Sequence, residues 1–151
     1  MRLINYTIVF LIIALALLAL ADYKSRQSSA EIVFLDIGQG DAILIQQGDV
    51  QVLVDGGPDA GVIEKLGEYM PFWDRTIELV VLSHAHSDHY LGLIDVFDRY
   101  QVERFMWSGA EEDAPDFQVM LEMLAAEDCP VDLAVADRGF RLGPIYFDVL
   151  F

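Results

Sequence analysis

The sequence is poor in cysteine and in basic residues, and each shortage limits what the protein can be. Cys129 is the only cysteine among 151 residues, so the chain can form neither an internal disulfide nor a cysteine-based zinc finger. Nine Lys and Arg residues stand against 25 Asp and Glu residues, which gives a formal net charge of −16. Because proteins bind nucleic acids largely by displacing counterions with Lys and Arg, this balance disfavours extended nucleic-acid binding and is typical of a solvated acidic surface.

One long apolar run stands at the N-terminus, and two interpretations of it remain open. Residues 8–21 carry no charge, and the run ends in Ala19-Leu20-Ala21, which resembles the cleavage site of a signal peptide. Residues 3–21 are also just long enough to anchor the chain in a membrane. We therefore predict one hydrophobic N-terminal helix, a signal peptide or transmembrane anchor over 1–21, followed by a polar linker over 22–30. We also predict a membrane-anchored or secreted, extracytoplasmic protein. Cell fractionation would test this location.

From residue 31 onward, short strands and helices alternate along the chain. Strands are predicted over 31–36, 42–46 and 50–55, with a tight hairpin at Gly48-Asp49. Helices are predicted over 60–70, 89–100 and 116–127, and further strands over 77–83, 102–107, 131–134 and 146–151. Hairpins followed by alternating strands and helices predict a mixed α/β fold with helices packed against one sheet. The last strand is apolar and has no predicted neighbour.

All three histidines lie in one window of six residues, His84-Ala85-His86-Ser87-Asp88-His89. His84 and His86 follow an apolar strand, so in an extended conformation both rings project to the same side and can chelate one ion. Asp88 and His89 fall where the chain turns into a helix, which directs them toward a second, adjacent position. Imidazole and carboxylate ligands together suit zinc, and also manganese or iron. Surface histidines in a polar loop are the alternative, but this clustering favours a metal site.

Asp55 ends a predicted strand before Gly56 and Gly57, where the backbone can approach a site closely. A metal-bound imidazole needs an acceptor for its other N–H group, usually a carboxylate or a carbonyl. We therefore expect Asp55 to orient a histidine ligand, the alternative being that it only begins a turn. Ser83 and Ser87 are expected to make hydrogen bonds around the same site.

The window 84–89 resembles the HxHxDH motif of the metallo-β-lactamase superfamily. The segments 33–45 (VFLDIGQGDAILI) and 54–57 (VDGG) resemble the opening strands of the β-lactamase-like domain in ComEC-type competence proteins and their stand-alone relatives. This resemblance implies the N-terminal half of an αββα sandwich over 31–151. It also implies two divalent metal ions, the first bound by His84 and His86 and the second by Asp88 and His89, with Asp88 as a catalytic residue.

The same resemblance implies a metal-dependent hydrolase, phosphodiesterase-like or nuclease-like, that acts on a phosphodiester or another small ester-like substrate. Leu91 stands where the family usually has the first glycine of a His-x-Gly-Gly run, so we expect a local change of packing. The family's later ligands find no match after His89, so we expect a truncated protein that is inactive or weakly active alone. One competing hypothesis is a non-catalytic, membrane-tethered binding module derived from this fold. Another is that a second chain or a further segment completes the sandwich.

Overall fold

The computed structural model of the protein describes residues 2–26 and 29–150. This part of the chain forms four helices, which are α1 (Arg2–Arg26), α2 (Gly61–Tyr69), α3 (Ser87–Arg99) and α4 (Pro115–Ala126). Its strands are β1 (Glu31–Phe34), β2 (Ile43–Gln47), β3 (Val50–Val54), β4 (Thr76–Ile77), β5 (Leu79–Leu82), β6 (Gln101–Val102), β7 (Phe105–Trp107), β8 (Val131–Leu133), β9 (Arg138–Leu142) and β10 (Ile145–Val149). The predicted mixed α/β fold is confirmed.

Six strands form one mixed sheet in the order β1-β2-β3-β5-β7-β8. The first three strands pair antiparallel, and the predicted hairpin joins β2 to β3 with Gln47 opposite Val50. Gly48 has a φ of 63° in this turn, a conformation that favours glycine. The strands β3, β5, β7 and β8 pair in parallel, so their carboxyl ends share one edge of the sheet. That edge brings the residues after β3 and β5 next to each other.

Alternate residues of the central strands face opposite sides of this sheet. Leu53 and Val80 are fully buried on the side that α2, α3 and α4 cover. Val52 and Leu79 are fully buried on the other side, where the hairpin of β9 and β10 packs against the sheet. Burial on both faces explains why these strands are nearly continuous apolar runs in the sequence.

The segment predicted as one strand over 77–83 is two strands in two sheets. β5 belongs to the main sheet, whereas β4 pairs in parallel with β6. At the break, the backbone N–H of Glu78 donates to the carbonyl of Gln51 (3.1 Å), and the Glu78 carboxylate accepts from the backbone N–H of Gln51 (2.6 Å). The predicted strand over 102–107 is divided in the same way, into β6 and β7, because its first half follows β4 out of the main sheet.

The prediction that the last strand lacks a neighbour is wrong. β10 pairs antiparallel with β9 along its whole length, and Gly143 takes a φ of 54° between them. β9 was not predicted because two arginines and a glycine among its five residues weaken the pattern of a strand. The rings of Phe140 and Phe147 stack across the pair with centroids 5.1 Å apart. Residue 151, the end of the predicted strand, lies outside the described residues.

The predicted N-terminal helix is present as α1, and it runs through the first residues of the predicted linker over 22–30. Most of its apolar side chains between residues 6 and 20 are exposed. Within residues 2–26 and 29–150, no helix combines the length and the apolar character needed to cross a membrane. The signal peptide or anchor and the extracytoplasmic location stay predictions. Residues 1, 27 and 28 lie outside the described residues.

The break between β4 and β5 predicts a pH dependence of stability. Partial burial raises the pKa of Glu78, so the folded state binds a proton more readily than the unfolded state does. For a carboxyl group shifted in this direction, the cost to folding is present above the raised pKa and disappears as the pH falls through it. We therefore expect the free energy of unfolding of the wild type to rise, relative to that of Glu78→Gln, as the pH is lowered from 7 toward 4.5.

Urea unfolding at several pH values measures this difference. Glu122→Gln is the matched control, since Glu122 is exposed on α4 and its replacement removes the same charge. A wild-type free energy of unfolding that stays constant relative to that of Glu78→Gln, or that falls relative to it as the pH is lowered, would contradict the prediction.

Candidate functional site

The histidine window lies between the end of β5 and the first turn of α3. The chain bends at Ser83 and His84, and the backbone N–H of His86 donates to the carbonyl of His84 (3.0 Å). The segment is therefore not extended as predicted. The helix begins at Ser87, two residues earlier than predicted, so Asp88 and His89 both belong to its first turn.

The three imidazole rings lie side by side. The ring centroids of His84 and His86 are 4.4 Å apart, and those of His84 and His89 are 4.0 Å apart. An oxygen of Asp88 lies 3.9 Å from Nε2 of His89. His84 and His86 are exposed, Asp88 is half-buried and His89 is buried. The structure thus gathers all four predicted ligands at a surface-accessible position, although their ligation of a metal stays a prediction.

Asp55 connects the end of β3 to this cluster. It is 2% exposed and has a φ of 60°, which is uncommon for a residue other than glycine. Its carboxylate accepts hydrogen bonds from the backbone N–H of Ser83 (2.8 Å), from the hydroxyl of Ser83 (2.6 Å) and from Nδ1 of His89 (2.8 Å). Asp55, which was expected to orient a histidine, therefore contacts His89 directly, and its role is not limited to beginning a turn.

The hydrogen bonds determine which nitrogen of two rings carries the proton. The Asp55 carboxylate can only accept, so Nδ1 of His89 must carry the hydrogen that joins them. The Ser83 hydroxyl gives its single hydrogen to Asp55, so it can only accept from Nδ1 of His84 (2.9 Å). In their neutral forms both rings therefore keep Nε2 unprotonated. This is the nitrogen that a metal ion requires as a free lone pair.

Three glycines allow the surrounding backbone to approach the cluster. A Cβ atom on Gly40 would fall on the carbonyl oxygen of Asp88, and one on Gly92 would fall on the carbonyl oxygen of Gly56. The backbone N–H of Gly56 in turn donates to the carbonyl of His89 (2.7 Å). The role of Gly92 was missed from the sequence, yet a glycine inside a helix is itself a signal of close packing. Beside it, Leu91 packs against the core without interrupting α3.

A cavity of about 300 Å³ adjoins the cluster, and sequence reasoning missed it. Its walls come from the start of α3 and from the segment before α4, and they comprise Ala85, His86, Ser87, Asp88, Tyr90, Glu112 and Ala114. Tyr90 and Glu112 were not among the predicted site residues. They are brought together because α3 and α4 pack against each other, which no local motif reveals.

The donor atoms fit a divalent ion in kind, since imidazole nitrogens with free lone pairs stand beside a carboxylate. Their arrangement is open. Across residues 2–26 and 29–150, no group of three or more His, Cys, Asp or Glu side chains is placed so that it could hold a metal ion. The chemistry of the donors and the orienting hydrogen bonds therefore support a metal centre, and closure of its coordination shell would require the exposed rings to move.

Comparison with known proteins identifies related folds. A profile of the metallo-β-lactamase superfamily matches residues 35–137. Similar solved structures include the Rm3 metallo-β-lactamase, with a TM-score of 0.55, 19% identity and coverage of 81% of this chain and 51% of that one. They also include YhfI from Bacillus subtilis, a metallo-β-lactamase fold protein. Its TM-score is 0.52 at 22% identity, with coverage of 77% of this chain and 47% of that one. A third is a Cronobacter sakazakii metallo-β-lactamase with a HARLDQ motif. Its TM-score is 0.53 at 17% identity, with coverage of 76% of this chain and 47% of that one.

At these identities the likeness to solved structures concerns the fold alone. The chain spans about half the length of the structures that it resembles. No curated protein matches the sequence.

Proposed function

Because the chain belongs to the metallo-β-lactamase superfamily, we propose that its domain is a metal-dependent hydrolase of phosphodiesters or other small ester-like substrates. The observation that carries this proposal is the hydrogen-bonded chain through Asp55 and Ser83, which leaves Nε2 free on both His84 and His89. Such second-sphere hydrogen bonds typically accompany histidines that bind metal. We propose two divalent ions, zinc first and manganese or iron as alternatives.

The residues of this chain would hold the ions and orient the site. His84 and His86 would bind the first ion, and Asp88 and His89 the second. Bound divalent ions lower the pKa of water and stabilise negative charge on the group under attack. Asp55 keeps the proton on Nδ1 of His89 and, through Ser83, on Nδ1 of His84, so neither ring loses orientation when Nε2 is engaged.

A non-catalytic binding module of the same fold is the second candidate. The open arrangement of potential ligands among the described residues favours it. The chain also spans about half the length of its structural relatives, so we propose that full activity requires ligands from a further segment or a second chain. We also propose that the domain is related to the β-lactamase-like domain of ComEC-type competence proteins, and that residues 3–21 attach it to a membrane.

Metal content and hydrolysis separate these candidates. We expect the purified chain to bind zinc, and His86→Ala to bind it at least tenfold more weakly because an imidazole ligand is lost. Glu122→Gln, which changes an exposed side chain on α4, should bind as the wild type does. Equal zinc affinity in wild type and His86→Ala would remove the metal site.

The second measurement is turnover of bis(4-nitrophenyl) phosphate by the zinc-loaded chain. Turnover above the level of His86→Ala supports the hydrolase. The same measurement is repeated after adding a segment or second chain that supplies the further ligands proposed above. Zinc binding without any turnover, with or without that addition, would instead support the binding module.

A further inference from the structure

The cavity beside His86 contains a hydroxyl group that the fold leaves unpaired. Tyr90 is 1% exposed, and its ring packs edge-on against Phe117 with centroids 5.0 Å apart. Within the described part of the chain, no protein group forms a hydrogen bond with its hydroxyl, yet no fully buried side-chain oxygen lacks a partner. The hydroxyl must therefore open onto the cavity that Tyr90 lines.

Two of the seven residues that line the same cavity are acidic. Glu112 lines it beside Asp88, a proposed metal ligand, and Glu112 is exposed in an acidic segment, residues 111–113. None of the described residues that line the cavity is Lys or Arg. The exposed carboxylate of Glu112 attracts a cationic group of a ligand whose anionic group the proposed ions would bind.

We propose that this cavity selects substrates that carry an alkylammonium group next to the bond that is hydrolysed. Glu112 attracts the positive charge, and the hydroxyl oxygen of Tyr90 accepts a hydrogen bond from the ammonium group. This satisfies a polar atom that otherwise meets only solvent. The inference rests on the proposed hydrolase function, and it narrows the substrate to zwitterionic esters rather than polyanions such as nucleic acids.

Binding can be measured on the metal-free protein, independently of any activity. Propylammonium is titrated against ¹⁵N-labelled protein, and 1-propanol serves as the uncharged ligand. We expect amide shifts to concentrate at Ser87, Glu112 and Ala114 with propylammonium only. Glu112→Gln should weaken binding about 1.5- to 5-fold, as expected for one exposed charge. Tyr90→Phe should weaken it about 2- to 10-fold, as expected for one hydrogen bond.

Glu122→Gln is the matched control, because it removes one exposed glutamate charge from α4 away from the cavity lining. Equal weakening by Glu112→Gln and Glu122→Gln would show only a general effect of net charge and would overturn the proposal. Shifts that do not involve the cavity, or equal binding of propylammonium and 1-propanol, would overturn it as well.

Hydrolysis of two matched esters tests the substrate itself. 2-Aminoethyl and propyl 4-nitrophenyl phosphate differ only by an ammonium group in place of a methyl group. We expect the zinc-loaded protein to favour the aminoethyl ester in kcat/KM, and Glu112→Gln to reduce that preference. Hydrolysis of both esters without preference would overturn the inference and leave the hydrolase standing. Selective propylammonium binding without hydrolysis of either ester would support the cation selectivity and count against the hydrolase.

Discussion

Replacing Gly92 with alanine should destabilise the domain by about 3 kcal/mol, near the upper end for overpacking a tight contact. The new Cβ would fall on the carbonyl oxygen of Gly56 and within 2.7 Å of the carbonyl oxygen of Asp59. Both obstacles are backbone atoms, so no side chain can rotate away to make room. The gain in helix propensity of about 1 kcal/mol is too small to offset this clash.

Gly67→Ala provides the control, because Gly67 also lies inside a helix, α2, but nothing stands within 4 Å of the position that its new Cβ would take. That substitution should be neutral or stabilise the domain by up to about 1 kcal/mol. Urea denaturation of both variants measures the contrast. Similar unfolding free energies for the two variants would show that α3 does not need its close approach to Gly56.

Replacing Asp55 with asparagine should lower the affinity for zinc by about 10- to 100-fold, the usual cost of losing an orienting partner. If the amide oxygen accepts from the backbone N–H of Ser83, the amide NH₂ faces Nδ1 of His89. Nδ1 must then accept, so the proton of His89 moves to Nε2. The NH₂ group also donates to the Ser83 hydroxyl, which is then free to donate to His84. One isosteric change would thereby block the metal-binding nitrogen of two rings.

The ring ¹⁵N chemical shifts of the metal-free protein report these tautomers directly, and calorimetry reports the zinc affinity. Asp137→Asn is a closely matched control, since Asp137 is exposed and has the same φ of 60°. Because asparagine tolerates this backbone conformation as aspartate does, both variants keep the local geometry. Unchanged ring shifts in Asp55→Asn would show that the carboxylate does not determine the tautomers.

Much of the fold could be predicted from the sequence, because its signals are local. The hairpin at Gly48-Asp49 follows from turn chemistry, and the helices follow from apolar spacing. The division of the strand at Glu78 could not be predicted, because it depends on hydrogen bonds to Gln51, 27 residues earlier in the chain. β9 escaped prediction for a different reason, since its arginines and glycine conceal a strand that forms only by pairing with β10.

The candidate site, like the fold, could be predicted from the sequence only in part. The histidine window and the orienting role of Asp55 follow from residue types and spacing, and the structure brings these residues together. The bent path of the window and the participation of Tyr90 and Glu112 follow from packing between distant segments. The cavity lies between the start of α3 and the segment that precedes α4, so neither segment alone reveals it.

The end of β3 holds residue 89 in two ways, through its side chain to Asp55 and through its carbonyl to Gly56. Fraying of the first turn of α3 would therefore break contacts with the end of β3, so we expect these two elements to open together. A ligand that engages His89 would act on both elements, and its binding free energy would add to the resistance of the sheet edge against local unfolding. Ligand binding at His89 and the local stability of the sheet edge would in this way be coupled.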